Sequence, residues 1–179
     1  TPDMKDVPHD GETTGEVVAR APWLTQGYLD NPQASNDLWD GGYLHTGDVG
    51  YIRENGSLQI TDRLKDVIKT GGEWISSLIL ENIASSCYGV EEVAAIGCPN
   101  AKWGERPVLA VQIKNNTDRD LVRLNIVEEI QMRVDVGEIS KWAIPDEIIF
   151  VDHLPKTSVG KLDKKLVRQD VLTRLDLKS

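Results

Sequence analysis

The chain has 179 residues, 40% hydrophobic and 27% charged, enough for one medium domain or two small ones with a buried core. A net charge of −9 and a pI of about 4.8 offer a polyanion no attraction, which argues against nucleic acid and anionic membrane as partners. No apolar run reaches the roughly 20 residues of a membrane-spanning helix, TPDMKDVPHDGETTGE lacks a signal layout, and Cys87 and Cys98 make neither a disulfide scaffold nor a zinc cluster, so the reading is an intracellular, cytoplasmic protein with no metal of its own.

Eleven acidic and only three basic residues fall in 1–62, whereas 63–179 is nearly balanced, so a break is expected near Asp62 and Arg63. Before the break, GEVVAR (15–20), GGYLHTGDVGYI and SLQITDR read as short strands between glycine turns, and Glu54-Asn55-Gly56-Ser57 carries a hairpin signal. This part reads as all-β. The opening stretch has no core of its own before GEVVAR, and the first residue is Thr1, which suggests a piece of a longer protein.

After the break, DVIK (66–69) is expected as a strand and 77–87 as a helix capped by Ser76 or Ser77, with Leu78, Ile79, Ile83 and Ala84 on its buried side. VEEVAAIG (90–97) and PVLAVQIK (107–114) read as strands. Leu121, Leu124, Ile126, Val127, Ile130 and Val134 predict a helix over 120–136, capped by Asp118 or Asp120. EIIFVD (147–152) completes a three-stranded core and DKKLVRQDVLTRL (163–175) is the last helix, which makes this part a small α+β domain.

Three segments are too unusual for plain structure. In Tyr43-Leu44-His45-Thr46-Gly47-Asp48 a glycine places Asp48 at a strand end, where its carboxylate can accept two hydrogen bonds from a ribose diol, although an Asp capping a β-turn explains the segment equally well alone. Asp62-Arg63-Leu64-Lys65-Asp66 packs four charges into five positions ahead of Gly71-Gly72. Arg63 is a fork of donors for ribose or phosphate oxygens, and the glycine pair lets an extended ligand approach backbone. Leu154-Pro155-Lys156-Thr157-Ser158-Val159-Gly160-Lys161-Leu162 presents Lys161 beside a glycine just before a helix, without the GxxxxGK[ST] spacing of a phosphate loop.

In order and separation, GEVVARAPWLTQGYLDNP, WDGGYLHTGDVGYI, DRLKDVIKTGG and LPKTSVGKLDKK resemble successive blocks of the adenylate-forming (AMP-binding) superfamily. That superfamily holds acyl-CoA synthetases, peptide-synthetase adenylation domains and luciferases. GGEWISS and ISKWAIPDEIIFVDHLP are most similar to medium-chain fatty acid and methylmercaptopropionate CoA ligases. The resemblance covers nearly the whole chain and implies a β-rich tail of the large domain (1–62), a hinge (63–66) and the mobile C-terminal α+β domain (67–179).

It implies ATP, CoA and a carboxylic acid as ligands, with Mg2+ held by residues outside this stretch and a missing N-terminal domain carrying the phosphate loop and acyl pocket. The stretch alone is then inactive, and a homodimer stays open. By the same resemblance Asp48 and Arg63 bind the ribose, Lys65 is the hinge residue, and Lys161 is the mobile lysine between carboxylate and α-phosphate. Gly72 lines the pantetheine tunnel, with Lys69, Gly71 and Glu73 beside it on the thioester-forming face.

Where some relatives carry basic residues for the CoA nucleotide, this chain has Ile144 and Asp146, which leaves Trp103 or Trp142 to stack on the adenine. Loading of a carrier-protein phosphopantetheine, or a binding domain that kept the scaffold without the chemistry, are the alternative readings.

Overall fold

The computed structural model describes residue 1 and residues 3–176. Within it the chain divides into two compact units, Thr1–Lys65 and Asp66–Ser179.

Unit 1 is a single antiparallel sheet in the order β1 (Gly15–Ala19), β2 (Leu44–Ile52), β3 (Leu58–Arg63). The β2–β3 hairpin closes where Arg53 N donates to Ser57 O, with Gly56 at φ +80° supplying the left-handed residue that a three-residue loop needs. This unit is not all-β. A short helix, α1 (Pro32–Leu38), begins at Asn31, whose side chain accepts from Ala34 N, with Pro32 in the first turn. PQASNDL has no apolar stripe, so periodicity could not reveal it. Among the described residues of the unit Val49 is the buried apolar side chain, while Trp23, Leu29, Leu58 and Ile60 are exposed.

Unit 2 holds β4 (Ile68–Thr70), β5 (Glu73–Ile75), α2 (Ser77–Ser85), β6 (Val90–Asn100), β7 (Gly104–Ile113), α3 (Arg119–Asp135), β8 (Glu147–Val151) and α4 (Lys164–Asp176). Its sheet has five strands rather than three, in the order β5-β4-β7-β6 with β8 also on β7. All pairs are antiparallel except β7–β8. The strand expected at 66–69 starts two residues later and folds back through Gly71-Gly72 onto β5, which the sequence reading missed.

β6 and β7 are buried on both faces, which is why they read as continuous apolar runs. Val93, Ala95, Leu109 and Val111 pack with α2 and α3, and Ala94, Ile96, Cys98, Val108 and Ala110 pack with Val167 and Val171 of α4. On α2 the buried side is Ser77, Leu80, Ile83 and Ala84, and Leu78 and Ile79 are exposed. On α3 a stripe of three residues spaced by four, Val122, Ile126 and Ile130, is buried, and Leu121, Leu124 and Val127 lie outside it. Both helices carry more apolar side chains than one docking face accepts, so the expected stripes hold Ile83, Ala84, Ile126 and Ile130, which are buried, but add exposed neighbours and omit Leu80 and Val122. The caps are Ser76 and Asp118.

Candidate functional site

In unit 1 the candidate site is built on the first residues of β2, a strap that β1 holds in place. Gly47, at φ +70°, lies inside β2, so Asp48 sits within the strand and not at its end. Glu16 of β1 holds the strap with both oxygens: Oε1 accepts from Gly47 N at 3.1 Å and Oε2 pairs with His45 Nδ1 at 2.8 Å. Thr46 Oγ1 donates to Val17 O and accepts from Asp48 N. The hydrogen bond that His45 makes to the Glu16 carboxylate raises the His45 pKa against the opposing effect of burial.

Asp48 stands opposite Arg63 in the β2–β3 register, and Arg63 Nε lies 2.9 Å from Asp48 Oδ1. Both side chains retain solvent exposure, 32% and 59%, so the pair can still be approached by a ligand. Lys65 is the last residue of this unit and is exposed.

In unit 2 Lys161 stands on the loop that precedes α4. Thr157 N donates to Lys161 O at 2.7 Å, Lys161 N donates to Thr157 Oγ1, and Gly160 at φ +78° turns the chain between them. The side chain is exposed, and among the described residues its ammonium has no partner. The loop is tied down on both sides. Lys156 pairs with Glu92 at 3.0 Å, and Lys164, the first residue of α4, pairs with Glu81 at 2.7 Å and donates to Ser77 Oγ. The loop therefore presents one exposed cation from a pinned base.

A second cluster in unit 2 surrounds the β4–β5 turn. Gly71 and Gly72 both have positive φ, +60° and +85°, so each is a conformation that side chains resist. Four consecutive residues of the β6–β7 hairpin hold this turn. Trp103 O accepts from Gly71 N, Gly104 lies against Lys69 O, Glu105 Oε2 accepts from Lys69 N at 2.9 Å, and Arg106 Nη1 donates to Thr70 Oγ1.

The Trp142 ring is packed on Gly71 and lies 4.6 Å from the Trp103 ring, centroid to centroid. Cations attend the three tryptophans: Lys69 over Trp74, Lys102 over Trp103, and Lys141 and Arg106 over Trp142. Glu73 begins β5 opposite Thr70 and is exposed.

The structure therefore brings Asp48 and Arg63 together in unit 1, and Lys69, Gly71, Gly72, Glu73, Trp103 and Trp142 together in unit 2, with Lys161 on a separate loop of unit 2. Sequence reasoning missed Glu16, Glu105 and Arg106. The one available signal was the string Trp103-Gly104-Glu105-Arg106, two opposite charges entering an apolar strand. Asp146 is not a stray negative charge at the expected nucleotide side, because Arg106 Nε lies 2.7 Å from its Oδ1.

Among the described residues no group of three or more His, Cys, Asp or Glu could hold a metal ion, and no helix is long and apolar enough to cross a membrane. The Cys98 thiol is pushed up to about 11 and Cys87 is raised, in both cases mainly by burial, which makes neither a nucleophile at neutral pH.

Residues 80–161 match the AMP-binding enzyme C-terminal domain family. The chain is 38% identical over 166 residues to a long-chain-fatty-acid–CoA ligase of Thermus thermophilus, covering 92% of this chain and 29% of that protein. It is 39% identical over 178 residues to a 3-methylmercaptopropionyl-CoA ligase of Ruegeria pomeroyi, covering 96% of this chain and 31% of that protein. Among solved structures, ATP-bound MatB from Rhodopseudomonas palustris superposes with a TM-score of 0.73 at 29% identity, over 93% of this chain and 31% of that one. The chain thus spans less than a third of the relatives it matches.

Proposed function

We propose that this chain, whose residues 80–161 match the AMP-binding enzyme C-terminal domain family, is the C-terminal portion of an ATP-dependent acid–CoA ligase that activates a carboxylic acid of the fatty type. The observation that carries the reading is the Asp48–Arg63 pair at 2.9 Å, an acceptor and a donor set side by side where a ribose diol and its neighbouring oxygens need both. Unit 1 supports the incomplete-domain part of the proposal, since a one-layer sheet with Leu58 and Ile60 exposed lacks the second layer that strands require.

In the first half-reaction a carboxylate oxygen attacks the α-phosphorus of ATP, the O–Pα bond forms, and pyrophosphate leaves with the electrons of the broken Pα–O bond. Two anions must approach, and the Lys161 ammonium stabilises the charge that accumulates between them. Asp48 and Arg63 orient the nucleotide through its ribose. In the second half-reaction the CoA sulfur attacks the acyl carbon and AMP leaves.

For this step the proposal assigns Gly71 and Gly72 to the pantetheine arm, with Lys69 and Glu73 beside it, and Trp103 and Trp142 to the adenine. The attendant lysines favour its phosphates in an otherwise acidic chain. Lys65, where the two compact units divide, is the pivot that lets one domain serve both steps. Among the described residues no cluster of three or more His, Cys, Asp or Glu that could hold a metal ion is present, and the proposal assigns the Mg2+ ligands to chain outside this stretch and routes no step through the ion.

The test is product analysis with the full-length protein. Acid plus ATP should give acyl-AMP and pyrophosphate, and added CoA should give acyl-CoA and AMP. Turnover with a phosphopantetheinylated carrier protein but not with CoA would replace the acceptor, and no acid-dependent pyrophosphate release with any acid would overturn the ligase reading.

A further inference from the structure

Arg106 occupies the point at which one edge of β7 changes partner. β4 pairs with β7 at Thr70↔Gly104, and β8 takes over from Val108↔Glu147. The guanidinium fills the interval with every nitrogen engaged. Nε reaches Asp146 Oδ1 at 2.7 Å, Nη1 donates to Thr70 Oγ1 at 3.3 Å and Trp142 O at 3.1 Å, and Nη2 donates to Ile144 O at 2.8 Å. The side chain is 12% exposed.

Two of those acceptors are main-chain carbonyls flanking the segment that delivers the Trp142 ring, and a third belongs to β4, directly before Gly71. The fit at the other end of the ring is equally close: a Cβ on Gly71 would lie 2.6 Å from Trp142. Arg106 thus ties the ring and the glycine turn to one strand.

We propose that Arg106 is the positioning residue of the thioester-forming face: it fixes the Trp103–Trp142 pair against the Gly71–Gly72 turn and so sets the geometry offered to CoA. The inference rests on the reading that this face receives CoA. The role is geometric and not one of attraction, because Asp146 neutralises the guanidinium and four of its five donors are used internally. A planar fork is required, since a lysine ammonium cannot span Asp146, Thr70 and two carbonyls at once.

The experiment measures the two half-reactions separately in the full-length protein, with Arg106→Gln, Arg106→Lys and Asp146→Asn. For both Arg106 variants the KM for CoA in conversion of supplied acyl-AMP should rise on the order of tenfold while acyl-AMP formation stays within about twofold. Asp146→Asn, at a 45% exposed position that endangers folding little, should raise the same KM by about threefold, and it decides the question if the Arg106 variants do not fold.

Recovery of the wild-type KM for CoA by Arg106→Lys would mean that charge alone is needed and would overturn the inference. So would a parallel loss of both half-reactions in all three variants, or no change. A wild-type enzyme that forms acyl-AMP but uses no CoA would overturn the CoA reading itself, and that failure is visible before any variant is made.

Discussion

Asp48 and Arg63 face one another across the β2–β3 pair, with Nε 2.9 Å from Oδ1, and Asp48 is aimed there by a strap that Glu16 holds through Gly47 N and His45. A carboxylate that is oriented by its own strand and partnered on one oxygen is preorganised for a diol. In the full-length protein Asp48→Asn should lower kcat/KM for ATP on the order of 10²-fold, the size of losing charged hydrogen bonds to two hydroxyls. The variant should also discriminate less than the wild type between ATP and 2′-deoxy-ATP. Undiminished discrimination would remove Asp48 from the ribose.

The Glu16–His45 pair predicts how unit 1 responds to pH. Glu16, and more weakly Asp40, raise the folded-state pKa of His45 above its ordinary value of 6.5. The stabilisation is complete below that value, where the imidazole is protonated in both folded and unfolded chains. It declines as pH rises through the raised folded value, where the folded imidazole also loses its proton. Thermal melts of the chain should therefore show unit 1 more stable at pH 6 than at pH 8.5, and His45→Gln should remove most of the difference. A wild-type melt that is flat or rises over this interval would contradict the pairing.

Adjacent glycines should respond differently to the same change. Gly71→Ala combines a positive φ with a clash against the Trp142 ring and should cost about 3 kcal/mol, whereas Gly72→Ala has open space around its new methyl and should cost about 1 kcal/mol from φ alone. Urea unfolding of the chain measures both, and equal shifts in midpoint would show that Trp142 does not hold the turn.

How far the sequence carried depends on where the partners lie. β6 and β7 were legible because strands buried on both faces have no polar alternation to obscure them, and the caps at Ser76 and Asp118 because they act within three residues. The short β5 was not, since Glu73-Trp74-Ile75 is defined only by pairing with β4. Asp48, Arg63 and Lys161 could be chosen because their segments match motifs. Arg106 could not, because its partners Thr70, Trp142, Ile144 and Asp146 lie 36 to 40 residues away, and one arginine in an apolar strand reads as an edge charge.

The central claim is that this chain supplies the lysine for acyl-adenylate formation, and the most direct measurement is single-turnover kinetics of each half-reaction in full-length Lys161→Ala. Lys161 is exposed on a loop that Lys156–Glu92 and Lys164–Glu81 hold in place, so its removal should leave the fold unchanged. Acyl-AMP formation should slow by about 10² to 10³, the loss expected for one charge at a transition state, while conversion of supplied acyl-AMP and CoA to acyl-CoA should stay within severalfold of the wild type. Equal loss in the two half-reactions, or none in the first, would contradict the account.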